Sequence, residues 1–373
     1  MATLAEILNP EVITEVISRV KTPQTRLQDF YGLGPGQANA FQVGGSHFAY
    51  DVFNNQRTLA KGKGFGTGPA TAAPIPVGTV SGKFWRSHEQ IPLTYDRIFR
   101  NRPLGSGFGG EVDVRGTQYI GGQEEKMVSR FKNTREMVIA KCLVDGAIGV
   151  LINGSDYELV AETTGDFDID FQVPTANQGN IGSIFSQDWD TNAATVAAND
   201  QLMALNAQSA SDSGFPISEA WVNSTTWGKV QKVTQFQTLG GSANTVFSTL
   251  ERTGLFGADG IGDSGFTAVL RAVPWLTWHV HDDVLSLAGT EAPLIPDDHA
   301  LFTPSPDSKW LDMGEGSELI LERLDATEYE GFGMNGWATP AINPASLSLT
   351  MLDIFMPNPK IPNAWYSVTN LTG

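Results

Sequence analysis

Apolar residues recur at helical spacing at the start of the chain. Val12, Ile13, Val16, Ile17 and Val20 fall three and four apart, with Asn9 as a cap and Pro10 at the first helical position. A loop, "KTPQTRLQDFYGLGPGQ", follows. Residues 46–60 and 79–99 then read as an outgoing and a returning strand. Between them "KGKGFGTGPATAAPIPVG" holds too little apolar bulk to pack a core, so the whole reads as a two-stranded arm with a loose tip. A hairpin alone is marginal in water, so this arm should rest on something else. A helix of about thirty residues is expected over 121–153, with Gly121 and Gly122 before it, Glu124 and Glu125 in its first turn, and Gly154 after it. Its apolar face shifts along its length. Met127, Phe131, Val138 and Cys142 form one stripe; Met137, Ala140, Val144, Ile148 and Leu151 form another.

Beyond it, "YELVAETTGDFDIDFQV" alternates as strands do. From Asp190 the texture is mixed: a helix ending at Gly214, the strand "PISEAWVN", a helix capped by Ser224 or Thr225, strands through "FTAVLRAVPWLTWHVHDDVL", and an apolar, proline-punctuated tail strand.

Composition narrows the function. Among 373 residues, 24 basic side chains face 41 acidic ones, a formal −17, which repels nucleic acid and anionic membrane. There is no run of eighteen apolar residues and no secretory-type start, so neither a membrane span nor export is expected. Cys142 is the only cysteine and has no disulfide partner within the chain.

Candidate chemistry is thin. "GSGFGG" (Gly105 to Gly110) fits a dinucleotide fingerprint but runs into "EVDVRG" where a helix must begin. "GKGFGTG" lacks the lysine and hydroxyl placement of a phosphate-binding loop. His279, His281 and Asp283 could share a strand face as metal ligands, the basis of a metal-dependent hydrolase reading. Asp166, Asp168 and Asp170 also alternate but lack the glycine and terminal glutamate of a calcium loop. Cys142 lies on an apolar stripe, which favours an inert thiol over a nucleophile. Nine tryptophans permit a carbohydrate-binding protein. These motifs assign no catalytic residue, cofactor or metal.

Charge is segregated instead. Residues 46–103 carry eight basic residues against three acidic ones, whereas residues 281–373 carry three against fourteen. A basic arm and an acidic body in one chain favour docking of the arm on a neighbouring copy. Arg57, Lys61, Lys63, Phe65, Lys83, Trp85 and Arg86 are the expected contact residues.

The order of these elements, with "RFKNTREMVIAKCLVDGAIGV", "SDYELVAETTGDFDIDFQV", "WDTNAATVAANDQLMAL", "LIPDDHALFTPSP" and "LTMLDIFMPNPKIPNAWYSVTN", resembles the major capsid proteins of tailed bacteriophages, in particular the lambda-type capsid family. The resemblance implies an α+β, Hong Kong 97-like fold. Its parts would be an N-terminal arm (1–45), an extended hairpin or E-loop (46–103), a peripheral domain holding the long spine helix (104–189), an axial domain (190–335) and a returning C-terminal strand (336–373). Arg135 and Glu136 match the spine helix's Arg-Glu pair. Met127, Phe131, Val138 and Cys142 would then be packing residues. Also implied are pentamers and hexamers in an icosahedral shell around double-stranded DNA, with scaffolding, portal and decoration proteins as partners and no membrane. The place would be the virion, assembled in the host cytoplasm. An encapsulin-like compartment shares the fold and is the nearest rival.

Overall fold

The computed structural model describes residues 25–53, 77–93, 112–153, 156–160, 166–180, 184–239, 247–251, 265–287, 290–320, 329–342 and 345–372. They form two compact units, each stitched from separate stretches of chain. One draws on 25–48, 81–139 and 312–358, the other on 49–80, 140–311 and 359–372. The N-terminal helix expected over residues 9–20 lies outside the described residues, as do both glycine-rich motifs.

The first unit is a sheet with a helix on it. The strand Ala345–Pro359 is its spine, pairing antiparallel with Trp85–Leu93 and with Met334–Ile342. Leu311–Glu315 joins the same sheet, and the short strand Ala40–Gln42 runs parallel beside it. Alternation along Ala345–Pro359 puts Leu349, Met351, Asp353 and Phe355 on one face. Leu349 and Met351 pack there against Met127, Val128 and Phe131 of the long helix, with Leu93, Met334 and Ala338. The returning strand of the hairpin is thus two strands. Val77–Lys83 pairs with His47–Phe53, but Trp85–Leu93 is built into the sheet of the first unit. The break falls at Phe84, buried edge-to-face against Phe48 at 5.6 Å.

The long helix spans Val112–Val144, not 121–153. Its 33 residues make a rod of roughly 50 Å at ~1.5 Å per residue. Gly121 and Gly122 lie inside it, each at a cost of only about 1 kcal/mol to a helix. The end is set by Gly146, in the left-handed conformation with φ 66°. That backbone conformation strains any residue with a Cβ, which would also push the Gln178 side chain aside. After it "AIGVLIN" alternates β-branched residues and forms the strand Ala147–Asn153, flanked by Asp156–Leu159 and Phe167–Asp170.

The second unit centres on a seven-stranded sheet with Glu219–Val222, Thr277–Val280 and Ala300–Thr303 in its middle. One face carries Ala220, Val222, Trp278, Val280 and Phe302, which pack with Leu202 and Leu205 of the helix Ala198–Asp212 and with Trp189 and Phe236. The helix Ser224–Val230 is capped by Asn223, whose side chain accepts from the Thr226 N–H at 2.8 Å, so the cap lies one residue before the expected one. The last turn of the long helix also belongs to this unit. Its free carbonyls at Leu143 and Val144 accept from Trp365 Nε1 at 3.0 Å and Ser367 Oγ at 2.6 Å.

The polar seam of the first unit generates a test. Arg135 and Asp353 are both fully buried and joined by two hydrogen bonds. Asp353→Ala should cost about 3–5 kcal/mol, because it leaves a guanidinium buried with half its partners. Leu319→Ala, at a side chain 55% exposed, should change stability by less than about 0.5 kcal/mol. Urea unfolding followed by tryptophan fluorescence reads both; equal midpoints would contradict the seam's importance.

Candidate assembly site

Two consecutive residues of the long helix organise the first unit. Arg135 completes the stripe of Val128, Phe131 and Val138 and so points at the sheet. Its fork grips Asp353, Nε to Oδ2 at 2.7 Å and Nη2 to Oδ1 at 2.6 Å, and Nη1 donates to Glu315 Oε1 at 3.0 Å. The guanidinium also lies over the Phe355 ring, 5.0 Å from its centroid. Burial disfavours its charge, but Asp353 and then Glu315 outweigh that and hold it firmly protonated. Gly333, with φ 60°, makes room: a Cβ there would meet the Glu315 carboxyl at 2.6 Å.

Glu136 points elsewhere, because successive helical residues are about 100° apart. Its two carboxylate oxygens accept from the backbone N–H groups of Leu27 at 2.7 Å and Gln28 at 3.0 Å. These are free amides in the first turn of the helix Arg26–Tyr31, which the N-terminal segment lays against the long helix. Gln28 Nε2 returns a bond to the Lys132 carbonyl at 2.6 Å, and Leu27, Tyr31 and Leu33 are buried beside it. The pair quoted for its resemblance thus ties arm to helix on one side and helix to sheet on the other. The sequence carried a signal for this. Arg135 interrupts an apolar stripe and Asp353 interrupts "LTMLDIFM", and two charges buried in apolar runs need each other.

The expected packing residues are buried: Met127, Phe131, Val138 and Cys142 are each at most 2% exposed. Of the expected contact residues, Arg57, Lys61, Lys63 and Phe65 lie outside the described residues. Lys83 is exposed. Trp85 is buried within its own chain, its Nε1 donating to Ser87 Oγ at 2.9 Å. Arg86 finds its acidic partner at home, making a two-pronged pair with Glu318 at 2.6 and 2.9 Å. Both residues sit on a strand already paired in the sheet, so neither is part of a free arm.

The metal-ligand reading of "WHVHDD" does not hold. His279 stacks on Trp221 at 4.2 Å and pairs Nε2 with Glu219 at 2.8 Å. His281 follows the strand's end and lies 3.4 Å from Asp283. Each imidazole takes a different carboxylate, and among the described residues no three His, Cys, Asp or Glu converge on one point. Asp166 and Asp170 instead accept backbone N–H groups, from Ile152 and Gln172, both at 2.7 Å. The tryptophans fill cores: eight of nine are buried, and Trp275 packs against the second unit's core. None of the nine tryptophans is fully exposed. Sequence reasoning missed one exposed feature. Ile152 and Tyr157, directly opposed across two strands, are about half exposed, with Leu151 beside them.

Cys142 is fully buried, and burial pushes its thiol well above the ordinary range. A reagent for thiolates should therefore label the folded chain orders of magnitude more slowly than the denatured chain, and Cys142→Ala should cost roughly 1 kcal/mol and still fold. Fast labelling of the folded chain would contradict the packing role.

No protein-family model matches the sequence, and no curated protein matches it significantly. Solved structures do. The chain is similar to a phage-related protein of Bordetella bronchiseptica RB50, at TM-score 0.49 and 9% identity over 97% of each chain. It is similar to the encapsulin of Synechococcus elongatus PCC 7942 at TM-score 0.43 and 10% identity, over 89% of this chain and 85% of that one. The similarity that bears weight is to a candidate capsid protein of a prophage of Escherichia coli CFT073. There the TM-score is 0.61 at 12% identity, over 97% of this chain and 99% of that one. That similarity runs nearly end to end in both chains, and the chain has the Hong Kong 97-like fold of phage capsid proteins.

Proposed function

We propose that the protein is the major capsid protein of a tailed phage, a structural rather than catalytic protein that assembles with itself into an icosahedral shell around double-stranded DNA. The observation that carries this reading is the end-to-end fold similarity to the prophage capsid protein. In this reading the first unit and the long helix serve as the peripheral domain and spine, and the seven-stranded unit as the axial domain. Pentamers and hexamers are the building blocks, and scaffolding, portal and decoration proteins are the partners. The shell forms in the host cytoplasm and ends in the virion.

The physical chemistry supports this. A formal −17 per copy lines a shell with like charge to DNA, so packaged DNA slides rather than sticks. Copies that repel at long range must hold through many weak local contacts, summed by multivalency. The basic segment between the paired strands, with Arg57, Lys61 and Lys63, supplies charge that an acidic neighbour attracts. The buried thiol and the separately paired histidines support a structural role over a catalytic one.

Negative-stain microscopy of the expressed chain, alone and with its phage's assembly factors, should show closed shells or rings. Particles from infected cells should protect long double-stranded DNA from nuclease. Particles holding an enzyme instead would make it an encapsulin-like compartment, and a monomer under every condition would overturn the shell reading.

The hairpin contributes a second test. Lys61→Glu with Lys63→Glu should abolish or strongly reduce particles on sedimentation while the soluble subunit keeps its circular dichroism spectrum. Undiminished assembly with unchanged salt sensitivity would contradict a role in contacts between copies.

A further inference from the structure

Three consecutive residues, Gly316, Ser317 and Glu318, touch both strands of the hairpin at its root in the first unit. Gly316 is anchored to the sheet. Its N–H donates to the Ile354 carbonyl and its carbonyl accepts from the Gly333 N–H, both at 3.0 Å. Ser317 holds the outgoing side. Its hydroxyl accepts from the Gly45 N–H at 2.8 Å, and its own N–H donates to the Gly45 carbonyl at 3.2 Å. Glu318 holds the returning side by accepting two bonds from Arg86, at 2.6 and 2.9 Å. The two sides are also joined directly, since the Phe84 N–H donates to the Ser46 carbonyl at 3.1 Å.

Close packing shuts the same root. Phe48 and Phe84 are buried edge-to-face against each other. A Cβ at Gly82 would meet the Phe48 ring at 2.9 Å. One at Gly316 would meet Ile354 Cγ2 at 2.5 Å, the Phe84 ring at 2.8 Å and the Gly45 carbonyl oxygen at 3.0 Å. Both rings therefore rest on bare backbone, in a space already filled. The Arg86–Glu318 pair is of another kind. Its side chains are 44% and 39% exposed, and an exposed pair adds little to folding stability. Its two-pronged geometry nevertheless ties together residues 232 positions apart in the chain, so it constrains position more than it stabilises.

We propose that Gly316, Ser317 and Glu318 form a clamp that fixes the path of the hairpin's root, with Phe84 and Arg86 as positioning residues for contacts between copies. The assembly half of this rests on the shell reading; the clamp itself is a property of the single chain. A shell is sensitive to such a device, because avidity summed over many contacts is lost when geometry forbids their simultaneous engagement. Loosening the root leaves the subunit's stability nearly unchanged and costs the particle.

A charge-swap cycle tests this. Glu318→Arg and Arg86→Glu each set two like charges against each other, and the double reversal restores an opposite pair. Hydrogen–deuterium exchange of the soluble subunit, corrected for intrinsic rates, is followed in peptides covering residues 44–48 and 82–86. The strand Ala345–Pro359 is the internal control. Each single reversal should speed exchange severalfold in both root peptides, including 44–48, which carries neither changed residue. The strand and the urea midpoint should stay nearly level, while most of the particle yield on sedimentation is lost. The double reversal should recover slow exchange and particles together. Unchanged exchange at 44–48 in the single reversals, or no recovery in the double, would overturn the clamp. Loosened roots with full particle yield would overturn its task in assembly. If a reversal does not fold, Glu318→Gln decides: it should loosen both root peptides to a smaller degree, and unchanged exchange would overturn the clamp. Wild type that never forms particles would overturn the shell reading instead, and the exchange result would still decide the clamp.

Discussion

A guanidinium buried without water must satisfy its five N–H donors and its charge together, and that demand organises the first unit. Arg135 can meet it only if the long helix, the strand Ala345–Pro359 and the strand Leu311–Glu315 arrive in one register. Apolar packing of Met127, Phe131, Leu349 and Met351 brings helix to sheet but tolerates sliding, since hydrophobic attraction has no direction. The fork on Asp353 has direction. A shift of one residue along the strand would turn Asp353 to the other face and leave the guanidinium with only Glu315. Nearby details fit this demand: Phe355 beneath the guanidinium, and Gly333 without a side chain beside Glu315.

Glu136 extends the same logic outward. Its carboxyl, a neighbour of Arg135 but rotated around the helix, satisfies two amides of the arm helix. One dipeptide therefore fixes elements more than a hundred residues away on both sides of it in sequence. The pair thereby places the helix Arg26–Tyr31 and the sheet on one rod.

Much of this was legible in the chain. The stripe Met127, Phe131, Val138 and Cys142 is buried as its spacing predicts, because helical period and burial are locally encoded. The strands around His279 and the apolar tail appear where alternation places them. The misplaced helix ends have a local cause as well. Gly121 and Gly122 read as breakers but sit inside the helix, while Gly146 ends it through a left-handed turn that spacing alone does not reveal. What a single sequence hides is pairing at long range. That Arg86 meets Glu318, that Trp85–Leu93 joins the central sheet, and that His279 and His281 take separate carboxylates all depend on segments far apart in the chain.

The central claim is that a chain whose long helix is locked on the sheet of its first unit builds a closed shell, with variation between copies confined to the elements that reach neighbours. A cryo-electron microscopy reconstruction of assembled particles, detailed enough to trace each independent copy of the chain, tests it directly. The account predicts a closed icosahedral particle in which Arg135 grips Asp353 and Glu315 in every copy. Differences should be concentrated in the hairpin and the arm. A particle whose copies differ in the register of the long helix on the strand Ala345–Pro359, or an open assembly with no closed symmetry, would contradict it.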